Sequence, residues 1–195
     1  MKRTIGVLLA AIMGCLAISG VAQPAYAANN PISGNWYEVI PPFFNSSAEK
    51  CLDVPNGSTA EGLALAVFHC HGFDSSGAAQ RWTFFNRGTD AQGNILWELR
   101  NEASQRCLNL VNLSGANATP VVQRTCNSQP AGLWVLHPTT TVTPFFGLSN
   151  VQFPNLCLAT GNSSGSDHTS VEVTVCDFNN PSDTAALVRQ VWSLG

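Results

Sequence analysis

The chain has 195 residues, 45% of them hydrophobic and only 11% charged, with a formal net charge of −3. That apolar share excludes a disordered chain. The mild acidity, with no basic run beyond Arg3, excludes a nucleic-acid binder that works by neutralising phosphates.

In chain order, the first segment is a leader. Lys2 and Arg3 precede a mostly apolar stretch from Ile5 to Ala22, then Pro24 and the small-residue motif Ala25-Tyr26-Ala27. This pattern predicts a secretory signal peptide over residues 1–27, and hence an extracellular protein. Ile12-Met13-Gly14-Cys15 is an imperfect lipoprotein box, which makes lipidation at Cys15 the minor alternative. No later apolar run is long enough to predict a membrane span. Residues 28–35 read as a short polar lead-in, and residues 36–195 as one folded domain.

Six cysteines remain after the leader, an even number that suits an oxidising compartment. The interval from Cys51 to Cys70 recurs unchanged from Cys107 to Cys126 and from Cys157 to Cys176. Three equal intervals indicate an internal triplication, with repeats at about 36–86, 87–140 and 141–195. Of the possible connectivities, the repeat selects the three local ones, Cys51–Cys70, Cys107–Cys126 and Cys157–Cys176. Metal ligation by these thiols is the weaker reading, because no pair has C-x-x-C spacing.

Other residues repeat in step. A leucine follows each first cysteine (Leu52, Leu108, Leu158), and a tryptophan follows each second one (Trp82, Trp134, Trp192). Two of the tryptophans close a Gln-x-Trp, at Gln80 and Gln190. Alternation over Leu63–Phe68, Ile95–Leu99 and Val171–Val175 predicts strands. Turn pairs such as Asn56-Gly57 and Ser114-Gly115 separate them. A short turn near Ser182–Leu187 is the one helical signal after the leader. The fold class is therefore all-β, with three units sharing one core about a pseudo-threefold axis.

The repeated Cys-Leu-Asp, Cys and Gln-x-Trp pattern resembles the ricin B-chain-type lectin domain, a β-trefoil also known as carbohydrate-binding module family 13. The resemblance covers about Trp36 to Gly195. It implies twelve strands, up to three sugar sites and non-catalytic binding of galactose-type or xylose-type carbohydrate. Lectins of this type carry an Asp two residues after the first cysteine and an aromatic two before the second. They also carry a Gln four before it and an Asn-Gln pair leading into the tryptophan. Repeat one matches with Asp53, Phe68 and Gln80, and His69 lies beside the ring. It departs at Ala66 and Ala79, where two hydrogen-bonding groups are missing. Repeat two has Asn109, Val122, Arg124 and Ala131, with no ring. Repeat three has Ala159, Glu172, Thr174 and Arg189, with neither carboxylate nor ring in the matching places.

One reduced sugar site is thus expected, in repeat one, with Phe68 stacking on a pyranose face and Asp53 accepting hydroxyl hydrogen bonds. Leu65 and Val67 share the opposite parity to Phe68, which turns that ring outward. Each residue also has a purely structural role open to it: Phe68 as core, Asp53 as a cap on the Asn56-Gly57 turn, Gln80 as a tie beneath the tryptophan. Gly161-x-Ser163-x-Gly165, followed by Asp167 and His168, imitates a nucleophile elbow, but it lies in a polar loop ahead of a strand. His69 and His71 could converge on a metal, yet no third ligand is evident, so no metal and no cofactor are expected. The expected state is a monomer. The rival function is a protein-interaction module with decayed sugar sites, an inhibitor or a toxin or surface-complex subunit. Under it, Phe43, Phe44, Phe145 and Phe146 would form a sticky patch.

Overall fold

A computed structural model describes residues 30–42, 49–140, 144–180 and 182–195. The leader with Cys15, and Phe43 and Phe44, lie outside the described residues. Among these residues twelve strands occur in chain order: β1 Trp36–Ile40, β2 Lys50–Asp53, β3 Ala66–His69, β4 Arg81–Thr89, β5 Ile95–Asn101 and β6 Cys107–Leu110, then β7 Thr119–Arg124, β8 Trp134–Pro138, β9 Phe146–Asn150, β10 Leu156–Thr160, β11 Thr169–Val175 and β12 Ser193–Leu194. The helix α1 spans Thr184–Gln190, capped by Asp183, whose side chain accepts from the Ala186 N–H.

Six strands close a ring. β1 pairs with β4, β4 with β5, β5 with β8 and β8 with β9. Phe146 then bridges to Trp192, and β12 returns to β1. The hairpins β2–β3, β6–β7 and β10–β11 cap this ring, and β11 pairs with both β3 and β7. This is the β-trefoil. The disulfides are Cys51–Cys70, Cys107–Cys126 and Cys157–Cys176, each local to its own hairpin. A closed loop of that size is worth about 3 kcal/mol in the chain-entropy model.

The repeated residues build the core. Trp82, Trp134 and Trp192 are fully buried. Their indole N–H groups donate to the carbonyls of Leu52, Leu108 and Leu158 at 2.9, 3.2 and 3.1 Å. The leucine after each first cysteine thus supplies a core side chain and the acceptor that satisfies the buried indole.

Two expectations are corrected. Phe146 is a core residue of β9, and Phe145 packs with Phe178 and Val191 in a second small cluster, so neither belongs to an exposed sticky patch. The strand expected over Leu63–Phe68 pairs with β2 only from Ala66 onward. Upstream, Leu63 and Leu65 hydrogen-bond to Gln123 and Val121 of β7 instead.

Candidate functional site

The β2–β3 register sets Cys51 opposite Phe68 and Asp53 opposite Ala66. Val67 points into the core, fully buried, so its neighbour Phe68 faces outward and is half-buried. β11 begins against β3, with Thr169 opposite Val67. This pairing delivers Asp167 and His168 of repeat three onto the hairpin of repeat one. His168 is left-handed (φ 65°), and its N–H donates to the Val67 carbonyl at 2.8 Å.

Three of the chain's four histidines therefore gather around Phe68. Ring centroids lie 4.1 Å away for His69, 4.8 Å for His168 and 5.8 Å for His71. Asp167 anchors the group. Its Oδ1 accepts from Lys50 Nζ at 2.7 Å and from the His69 N–H at 2.9 Å, while Oδ2 lies 3.1 Å from His69 Nδ1. The Lys50 hydrogen bond is the main reason that its pKa is held down to about 2. Asp53 is only 7% exposed. Burial raises its pKa, opposed by the Gln80 amide and by His71, His168 and His69.

Gln80 is fully buried. Its Oε1 accepts from the His71 N–H at 2.8 Å and its Nε2 donates to the His69 carbonyl at 3.0 Å, so the amide clamps the backbone on both sides of Cys70. Gln190 does the same around Cys176, through Asp177 N–H and Val175 O, both at 2.7 Å. Gln80 therefore braces the site from behind. The N-cap position of the Asn56-Gly57 turn is Val54, not Asp53.

The matching positions of the other repeats are occupied differently. Arg124 folds onto its own hairpin and donates to the Leu110 and Val111 carbonyls. In repeat three, Glu172 accepts from Arg189 at 2.8 Å. These two line a cleft of about 740 Å³ with Asp177, Asp183 and Asn117, and among the described residues no aromatic ring lines it. The segment Gly161–Gly165 joins β10 to β11 and leads into a strand, so it is not an elbow. Glu38, Cys51 and Cys70 cluster, but both sulfurs are in the disulfide.

Sequence reasoning missed Lys50, and it treated Asp167 and His168 only as the tail of a false motif. Asp167 and His168 reach the hairpin through the β11–β3 pairing between repeats three and one, and Lys50 stands directly before Cys51.

A family model described as the ricin-type beta-trefoil lectin domain matches residues 42–183. The chain belongs to this family. Among solved structures, this lectin-family chain is similar to ThreeFoil, a designed 3-fold symmetric protein, at 21% identity over 82% of this chain and 96% of that one, with a TM-score of 0.63. It is similar to a Macrolepiota procera ricin B-like lectin in complex with lactose, at 18% identity over 85% and 98%, with a TM-score of 0.60. The Haemophilus ducreyi cytolethal distending toxin aligns at 18% identity over 83% of each chain, also with a TM-score of 0.60. These likenesses show the shared trefoil. No curated protein matches the sequence. Among the described residues, no helix is long and apolar enough to cross a membrane.

Proposed function

We propose that this lectin-family chain is a secreted, non-catalytic and monomeric carbohydrate-binding module with one weak site, on the hairpin of repeat one. The observation that carries this reading is the outward, half-buried Phe68 ring on the same face of the β2–β3 hairpin as Asp53 and within a wall of imidazoles. The ring supplies an apolar face for a pyranose, Asp53 accepts from its hydroxyls, and His69 hydrogen-bonds at the edge. Galactose-type and xylose-type glycans are the ligand classes. A single ring and one carboxylate provide few contacts against the cost of association, so affinity is low.

The test is a glycan and polysaccharide screen on the oxidised chain with Asp53→Ala alongside. Binding by the parent that disappears in Asp53→Ala is the expected result. Equal binding by both would move the site to another repeat. Absence of binding by folded protein would favour a protein-interaction module. The occupied sites of repeats two and three support that second reading, with Arg124 turned onto its own backbone and Glu172 paired to Arg189.

A further inference from the structure

We propose that the Nε2 atoms of His69 and His71 form a two-point chelate for a divalent transition-metal ion of the Cu²⁺ or Ni²⁺ class, with Asp167 as the positioning residue. The two Nε2 atoms lie 3.0 Å apart. The outer nitrogens face pure acceptors: His69 Nδ1 is 3.1 Å from a carboxylate oxygen of Asp167, and His71 Nδ1 is 3.5 Å from the Ser76 carbonyl. A carboxylate or carbonyl accepts a hydrogen bond only from a protonated nitrogen, which leaves the Nε2 of a neutral ring as a bare lone pair. With both rings in that tautomer the two lone pairs border one space, and a cation placed there is ligated by both. A carboxylate behind a histidine ligand is also the usual outer-shell support of a metal-bound imidazole.

The distance selects among ions. With metal–nitrogen bonds of about 2.1 Å, nitrogens this far apart subtend an angle of about 90° at the metal. That is the cis angle of square-planar and octahedral coordination, and it is narrower than a tetrahedral ion prefers.

The chelate is also preorganised. Cys70, between the two histidines, is tied to Cys51. Gln80 holds the His69 carbonyl and the His71 N–H. Asp53 adds a second carboxylate within electrostatic reach of all three imidazoles, while Lys50 offsets part of the Asp167 charge. Beyond the Glu38–disulfide group, no set of three ligand atoms converges among the described residues. Water therefore completes the coordination shell, and binding is moderate.

The test is titration of the oxidised chain with Cu²⁺, Ni²⁺ and Zn²⁺ by calorimetry, with electron paramagnetic resonance of the Cu²⁺ form. The expected result is a site showing coupling to two imidazole nitrogens and binding Ni²⁺ more tightly than Zn²⁺. His69→Gln and His71→Gln each weaken it at least tenfold and remove the two-nitrogen signature. Asp167→Asn weakens it by roughly 10- to 100-fold, and His168→Gln leaves it unchanged. Parent-like Cu²⁺ affinity and spectrum in a His69→Gln/His71→Gln double variant of unchanged Tm would overturn the proposal, as would no uptake by the parent. A preference for Zn²⁺ over Ni²⁺ would overturn the choice of ion class.

Discussion

The Asp167 carboxylate accepts the backbone N–H of His69 at 2.9 Å, across 98 residues of chain. The contact has two symmetry mates. Glu61 accepts the Thr125 N–H at 3.1 Å, and Asn117 accepts the Val175 N–H at 3.0 Å. Glu61, Asn117 and Asp167 all lie ten positions after the first cysteine of their repeats. Each repeat thus reaches onto the hairpin of another, and the candidate site belongs to repeats one and three together.

The residue after each of these acceptors is left-handed: Gly62 (φ 76°), Ala118 (φ 61°) and His168 (φ 65°). A Cβ at Gly62 would meet nothing within 4 Å, so the backbone angle alone sets the cost of adding one. Gly62→Ala should destabilise by about 1 kcal/mol, and Ala118→Gly should stabilise by a somewhat smaller amount. Urea unfolding measures both. Equal stability of Gly62→Ala and the parent would mean that the shared turn is not under this constraint.

The equal cysteine intervals made the trefoil legible, because each interval closes one cap hairpin and each following tryptophan fills the core beneath it. Phe68 facing out was legible from strand parity. Asp167 and His168 were not recognised as part of the site, since their placement depends on β11 lying against β3, a pairing between distant repeats. The role of Gln80 was ambiguous because an amide serves a backbone or a sugar hydroxyl equally well, and only its full burial separates the two. The repeat-three cleft was invisible because α1, whose Ala185 and Ala186 line it, is short and was legible only as a turn.

His137 in β8 is half-buried, with its Nε2 2.7 Å from Ser149 Oγ. Burial lowers its pKa, opposed weakly by Asp90. As pH falls through the ordinary value near 6.5, the unfolded chain takes up this proton before the folded one does. Stability attributable to His137 is therefore lost from about pH 6.5 downward until the lowered folded value is passed. Urea midpoints at about pH 7.5 and 5.5 should differ less in His137→Gln than in the parent. An identical pH dependence in the two proteins would contradict this.

The proposed carbohydrate site is tested most directly by a titration of the isotopically labelled oxidised chain with galactose- and xylose-based oligosaccharides, followed through backbone amide shifts. Saturable shifts confined to residues 50–53, 66–71 and 167–170, lost in Phe68→Ala, are the expected result. Shifts confined to the repeat-three cleft around Glu172 and Arg189, unchanged by Phe68→Ala, would contradict it, and so would no shift at any sugar concentration.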